Sequence, residues 1–129
     1  MEKGSVKNSW WVDLEILLVS EDMEELEFFQ NYIKDEMAGN FVYSFCDSRE
    51  AAKFIEDHPV DLCFTNVLMK YVSGFAIAKE VREQNDEAVI CFVADNGEYA
   101  LDAWKSNVND YIIKPVTKEA VMHALKNIS

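Results

Sequence analysis

Short apolar segments alternate with helix-like segments five times along the chain, and this alternation constrains the fold more than any other feature. The apolar segments begin about 20 to 27 residues apart, and each is followed by apolar residues at helical spacing. They cover residues 14–19, 41–46, 61–66, 88–94 and 110–113. Strands that alternate with helices form a parallel sheet, because each connection must return the chain to the same end of the sheet. We therefore expect an α/β fold with a doubly wound, five-stranded parallel sheet and five helices.

The apolar segments differ in how many faces they bury. Four of them are nearly continuous in Val, Ile, Leu, Phe and Cys, as in strands that helices cover on both faces. The second segment alternates instead, with Phe41, Tyr43 and Phe45 on one face. This alternation predicts an edge strand.

The helical segments carry apolar stripes and polar caps. In the first helix the stripe is expected to contain Met23, Leu26, Phe29, Ile33 and Met37, with Glu24, Glu25, Glu27 and Asp35 mostly on the outer face. The second and fifth helices are expected to be capped by Asp47 and Thr117. The fourth helix is expected to begin near Asp95 and to bury Ala100, Ala103 and Trp104.

The acidic composition excludes some partners. Twelve Lys and Arg against 24 Asp and Glu leave a net charge of −12. Such a surface repels polyphosphate backbones, so direct nucleic-acid binding by this chain is disfavoured. Residues 13–36 hold nine acids and one base, and their net charge of −8 is most simply a solvated helix face.

The three cysteines indicate a reducing compartment. Cys46, Cys63 and Cys91 lie in separate apolar segments without CxxC spacing, so we expect small buried thiols and no disulfide or zinc site.

The sequence shows no membrane or secretory signal. No segment approaches the roughly 20 apolar residues of a membrane helix, and the first residues do not resemble a secretory signal. We expect a cytoplasmic protein that does not contact membranes.

Ligand sites in parallel sheets lie beyond the carboxyl ends of the strands. Glu21 and Asp22 follow the first strand, Asn66 ends the third, and Lys114 and Pro115 follow the fifth. Carboxylates in the first loop repel phosphate, and no GxGxxG motif occurs, which argues against a flavin or dinucleotide site. Carboxylates near a lysine suggest instead a divalent cation beside a phosphoryl group.

These features resemble the receiver domain of two-component response regulators over about residues 14 to 128. The most specific part is the run at 110–115, Asp-Tyr-Ile-Ile-Lys-Pro, and Gly74 follows Asn66 by the family's spacing. The resemblance implies a flavodoxin-like fold with strand order 2-1-3-4-5, in a domain at 14–129 after a leader at 1–13. The leader contains Trp10 and Trp11, which belong either to a free tail or to a segment packed on the domain or a partner.

Residues 98–111 are similar to receivers of LytTR-type regulators, which carry a DNA-binding domain. Whether a longer chain supplies such an output domain stays open.

The chain departs from the family's phosphorylation motif at several positions. The first of the two acids after strand 1 is Ser20 and the second is Glu21; the phosphate-accepting aspartate is Asn66, and the hydroxyl residue ending strand 4 is Val93. The resemblance is retained at Lys114, Pro115 and the aromatic Tyr111. An amide is a very poor nucleophile, so we expect a pseudo-receiver without catalytic residues. Mg²⁺ would bind weakly at best, through Glu21 and Asp22, and no other cofactor is expected.

The resemblance therefore implies a non-enzymatic signalling domain that acts by protein–protein interaction. Its partners would be a histidine kinase, a phosphotransfer protein or an output domain, and it could be the regulatory part of a transcriptional regulator. Lys114 is expected to pair with Glu21 or with the Asn66 carbonyl, which would fix the pocket in one state. The alternative is a competent receiver that uses Mg²⁺ and an unusual acceptor, Asp22 being the nearest carboxylate.

A second surface is implied at helix 4, strand 5 and helix 5, where receivers commonly dimerise or contact output domains. Tyr99, Trp104 and Tyr111 would form an aromatic switch there. Alternatively, Trp104 fills the core and Tyr111 is half-buried.

Overall fold

The computed structural model describes residues 12–128, so Trp10 and Trp11 lie outside the described residues. The strands are β1 (Glu15–Val19), β2 (Phe41–Phe45), β3 (Leu62–Asn66), β4 (Val89–Ala94) and β5 (Asp110–Ile113). The helices are α1 (Met23–Glu36), α2 (Ser48–Ile55), α3 (Gly74–Gln84), α4 (Ala100–Lys105) and α5 (Lys118–Leu125). All strands are parallel in the order β2-β1-β3-β4-β5. The predicted fold, strand order and edge position of β2 are confirmed.

Helices cover both faces of the sheet, which explains the continuous apolar character of the inner strands. Ile16 and Leu18 face one core layer, whereas Leu17 and Val19 face the other, because successive side chains of a strand alternate. The first layer is completed by residues of α1 and α5, such as Phe29 and Leu125, and the second by residues of α2, α3 and α4, such as Ile55, Ile77 and Ala103.

Helix α1 follows the predicted stripe except at two positions in its first turn. Met23 is exposed, whereas Glu25 is buried. Glu25 lies four residues before Phe29, one turn away on the same inward face, while Met23 lies six residues before Phe29 and leaves that face. The expectation that Glu25 belongs to the outer acidic face is therefore wrong.

Helix α4 differs most from its prediction. It begins at Ala100 rather than near Asp95, and of the three residues expected inside only Ala103 is buried. Trp104 is 75% exposed, because a helix of six residues presents one narrow face and the residue after Ala103 is turned about 100° from it. The interpretation of Trp104 as a core residue is therefore wrong.

The predicted caps of α2 and α5 are present. The Asp47 carboxylate accepts from the backbone N–H of Arg49, and Thr117 Oγ1 accepts from that of Ala120, so both caps are confirmed.

Two of the three cysteines are buried, as predicted. They are Cys63 and Cys91, and burial raises the pKa of the Cys63 thiol to about 12. Cys46 is exposed, contrary to expectation, because it follows the last residue of the edge strand β2. Among the helices of residues 12–128, none is long and apolar enough to cross a membrane.

Candidate functional site

A cavity of about 300 Å³ opens at the carboxyl ends of β1, β3, β4 and β5. The sheet register sets Asn66 beside Val93, and the backbone N–H of Lys114 donates to the Ala94 carbonyl at 2.9 Å. Of the predicted pocket residues, Glu21, Asp22, Asn66, Val93 and Lys114 line the cavity. Ser20 is buried, and Pro115 is exposed and joined to Lys114 by a cis peptide bond.

The carboxylate of Glu25, which the sequence prediction placed outside, joins three strand ends at this site. Its Oε2 accepts hydrogen bonds from Ser20 Oγ at 2.8 Å and from Asn66 Nδ2 at 2.7 Å. Its Oε1 lies 3.3 Å from Lys114 Nζ, close enough for an ion pair although the angles do not make a hydrogen bond. The Glu25 side chain is only 5% exposed, so the carboxylate is shielded from solvent at the centre of this network.

Lys114 has different partners from those expected. Its ammonium pairs with Glu25 and, at 3.6 Å, with Asp95. Partial burial lowers the pKa of Lys114, but the Glu25 and Asp95 carboxylates more than offset this effect, and the pKa is raised above its ordinary value. The predicted pairing with Glu21 or with the Asn66 carbonyl is wrong.

Those two acceptors are occupied by backbone groups instead. Asn66 Oδ1 accepts from the backbone N–H of Glu21 at 3.0 Å, and Glu21 Oε2 accepts from that of Lys70 at 2.7 Å. Asn66 therefore holds the β1–α1 loop, and Glu21 holds the β3–α3 loop. The Lys114 ammonium pairs with Glu25 and Asp95 and not with either of these two residues.

The side chains at the ends of β3 and β4 carry no nucleophile or hydroxyl toward the cavity. Asn66 is buried and uses its amide nitrogen toward Glu25 and, at 3.5 Å, toward the Val93 carbonyl. Val93 is itself buried and apolar. A neutral amide cannot form the acyl phosphate that a carboxylate forms.

The residues present offer few free ligands to a magnesium ion. Asp22 Oδ1 caps α1 by accepting from the backbone N–H groups of Glu24 and Glu25, and Glu21 Oε2 accepts from the backbone N–H of Lys70, so each acid has one oxygen already engaged. A hard divalent cation requires several free oxygen ligands, and the Lys114 ammonium in the same cavity opposes it. Within residues 12–128, no group of three or more His, Cys, Asp or Glu side chains is arranged to hold a metal.

Glu25 and Asp95 are the two partners of Lys114, and the sequence prediction assigned neither to the pocket. The spacing of Glu25 from Phe29 could have identified it, because residues four apart share a helix face. For Asp95 the only signal is its place directly after β4, at the same edge of the sheet as Lys114.

The three aromatic residues predicted for the switch surface point in different directions. Tyr99 is half-buried beside Phe75, with ring centroids 6.4 Å apart. The hydroxyl of Tyr111, also half-buried, donates to the Asn96 carbonyl at 2.7 Å. Trp104 alone projects into solvent. Large apolar side chains are also exposed on the three elements of the predicted surface: Leu101 of α4, Ile113 of β5 and Met122 of α5.

The comparisons with known proteins fit this fold. The family described as "Response regulator receiver domain" matches residues 16–126. The transcriptional regulatory protein NatR of Bacillus subtilis (strain 168) is 30% identical over 94 residues, which are 73% of this chain and 39% of NatR. The sensory transduction protein LytT of the same organism is 29% identical over 116 residues, 88% of this chain and 47% of LytT. This chain thus spans less than half the length of either relative.

Similarity to LytT agrees with the predicted resemblance to LytTR-type regulators. Among solved structures, a CheY-like response regulator receiver domain protein from Methanospirillum hungatei JF-1 superposes with a TM-score of 0.75 at 18% identity, over 86% of this chain and 89% of that chain. At that identity the superposition establishes the fold alone. Together with the family match over residues 16–126, it shows that the chain belongs to the receiver domains of two-component response regulators.

Proposed function

We propose that this receiver domain signals without being phosphorylated, through contacts with other proteins. The observation that carries the proposal is the state of Asn66, the residue at the family's acceptor position. Its amide is neutral and buried, and both of its polar atoms are engaged, by Glu21 and by Glu25. It has neither the charge nor the freedom that attack on phosphorus requires.

Two further positions support the same conclusion. Ser20 removes an acid from the place where the family binds its metal, and Val93 cannot donate a hydrogen bond to a phosphoryl oxygen. Asp22, the acceptor in the alternative hypothesis, caps α1 and faces two backbone N–H groups. Three elements of one mechanism are missing together, which favours a pseudo-receiver over a receiver with a displaced acceptor.

Fixed loops around the pocket support a domain held in one state. The β3–α3 loop is held by Glu21 and by Ser48, whose Oγ accepts from the Val72 backbone N–H at 2.9 Å. The guanidinium of Arg49 also lies 3.5 Å from the centre of the Tyr71 ring. A loop tied at three points has little freedom to respond to a small phosphodonor.

The partners that fit this proposal are a histidine kinase, a phosphotransfer protein or an output domain, in the cytoplasm. Within a longer chain the domain would be the regulatory part of a transcriptional regulator. The exposed apolar side chains of α4, β5 and α5, Trp104 among them, support a homodimer through that face. Receiver domains are generally not enzymes, and we propose no catalysis for this one.

The proposal is tested by exposing the purified chain to acetyl phosphate and Mg²⁺ and following phosphorylation by intact mass and Phos-tag electrophoresis. We expect no phosphorylated species, since Asn66 cannot act as the acceptor. Asn66→Asp alone should also remain poorly labelled, because Ser20 and Val93 are unchanged. A phosphorylation-competent receiver treated in parallel is the control.

Efficient labelling of the wild-type chain would contradict the proposal. If that label disappeared in Asp22→Asn, the alternative with an unusual acceptor would replace it. Robust labelling of Asn66→Asp would show that the acceptor position alone limits the chemistry.

A further inference from the structure

We propose that Glu25 is an anion built into the pocket, and that its carboxylate occupies a site which a small oxyanion would take if Glu25 were removed. The proposal deepens the proposed function and rests on it for its signalling meaning, since a pocket filled by its own carboxylate needs no phosphoryl group. It assigns Glu25 a role that neither the family motif nor the charge pattern indicates.

The donors around Glu25 form an anion-binding set drawn from three strand ends. Ser20 supplies a hydroxyl after β1, Asn66 supplies an amide N–H at the end of β3, and Lys114 supplies an ammonium after β5. Two of the groups donate hydrogen bonds and the third supplies positive charge, which is the combination that binds oxyanions strongly. The carboxylate comes from a fourth element, α1, and therefore ties its first turn to all three strands.

The electrostatic pairing depends on Glu25 more than on the other carboxylate near Lys114. Asp95 lies at a similar distance, 3.6 Å against 3.3 Å for Glu25, but its side chain is 85% exposed whereas that of Glu25 is 5% exposed. Water and salt screen an exposed pair, while a buried carboxylate is costly unless it is paired. Glu25 and Lys114 should therefore be strongly coupled, and Asp95 and Lys114 weakly.

An anion-binding role makes a prediction that a purely structural contact does not. Truncation to alanine removes the carboxylate but leaves the Ser20 hydroxyl, the Asn66 amide and the Lys114 ammonium around the vacated space. Formate has the size and charge of the missing group. It should bind there and restore stability, and this rescue should require the Lys114 charge.

The test compares Glu25→Ala with the double variant Glu25→Ala/Lys114→Met in the full chain. Thermal unfolding is followed by circular dichroism in sodium formate and in sodium chloride of the same ionic strength. Formate should raise the midpoint of Glu25→Ala by about 2–4 °C and leave the double variant and the wild type unchanged. An equal rise in both variants, or no rise in Glu25→Ala, would overturn the proposal.

If Glu25→Ala does not fold, the nearly isosteric Glu25→Gln provides the test through a double-mutant cycle with Lys114→Met. We expect a coupling of about tenfold or more in the unfolding equilibrium constant, against about threefold or less for the matched cycle of Asp95→Asn with Lys114→Met. Equal coupling in the two cycles would contradict the proposal that Glu25 is the principal partner of Lys114.

These results are separable from the test of the proposed function. Labelling of the wild-type chain by acetyl phosphate would contradict signalling without phosphorylation but would leave a formate rescue intact. Failure of the rescue and of the coupling, with an unlabelled wild-type chain, would overturn only the role of Glu25.

Discussion

At Gly74 the first turn of α3 approaches the end of β3 so closely that a side chain does not fit. A Cβ atom there would overlap the Asn66 carbonyl oxygen and lie 3.0 Å from Val67 Cα. The Gly74 backbone N–H also donates to the Val67 carbonyl at 2.7 Å. Because the obstructing atoms belong to the backbone, they cannot be relieved by a change of rotamer. The lack of a side chain at position 74 therefore allows α3 to begin directly against the end of β3, next to Asn66.

We expect Gly74→Ala to lower the free energy of unfolding by about 2–3 kcal/mol, because the backbone must shift to accommodate the methyl group. Urea denaturation measures the change. Gly97→Ala is the matched control: its Cβ would meet only Ile113 Cδ1, at an ordinary 3.7 Å, and the change should stay within about 0.5 kcal/mol. Similar losses in the two variants would argue against the close approach.

At the scale of an element, the start of α2 is held by Asp47. Its Oδ1 accepts from the Arg49 backbone N–H at 2.8 Å, and its Oδ2 pairs with the Arg49 guanidinium at 2.8 Å. The Arg49 side chain, followed by the backbone N–H of the same residue, lowers the pKa of Asp47 from 3.8 to about 2. The cap is therefore charged throughout the physiological range and contributes to keeping the β2–α2 turn in place.

This lowered pKa predicts how stability depends on pH. The unfolded chain binds the Asp47 proton more tightly than the folded one, so the contribution is complete above the ordinary pKa of 3.8 and is lost as the pH falls through about 2. The stability difference between wild type and Asp47→Asn should therefore shrink between about pH 5 and pH 2, as measured by urea denaturation. In an Arg49→Gln background the difference should vary less. A pH-independent difference would refute the prediction.

At the scale of the whole molecule, the distribution of polar and apolar surface separates two regions. The outer face of α1 is acidic: its four acids outside the core and its one lysine together contribute −3 to the net charge of −12, and they are Glu24, Glu27, Asp35, Glu36 and Lys34. Exposed apolar side chains occur on α4, β5 and α5: Leu101, Trp104, Ile113 and Met122 are each more than half exposed. Large apolar side chains exposed on neighbouring elements are typical of contact surfaces.

If this apolar region forms the homodimer, Trp104→Glu should raise the dissociation constant at least about tenfold, because a charge would be buried without a partner. Sedimentation or light scattering over a range of concentrations provides the measurement. Met23→Glu alters a side chain that is 63% exposed on α1 and should leave the constant unchanged. A wild-type chain that stays monomeric at all concentrations would rule out this interface.

Local periodicity is sufficient for most of the fold. Continuous apolar segments identify four of the strands and the alternating segment identifies the edge strand β2, because burial on one or on two faces determines which adjacent residues are apolar. The same holds for the caps at Asp47 and Thr117. The edge position of β5, whose segment is also continuous, is decided by the sheet and not by this pattern. The pattern failed most in the short helix α4, since six residues hold too little periodicity to distinguish Ala103 from Trp104. It also misplaced Met23, Glu25 and Cys46.

The chemistry of single positions is also evident from the sequence. Residue 66 carries an amide and not a carboxylate, wherever the fold places it. The partner of Lys114 is a different kind of property. Glu25 lies in the first turn of α1, and Lys114 directly follows β5. They meet only because α1 packs across β1 and because the parallel sheet brings the carboxyl ends of β1, β3 and β5 to the same side. Contacts between residues so distant in the chain depend on packing, which no local pattern encodes. The neutral acceptor position is thus a property of the residues, and the internal anion is a property of their assembly.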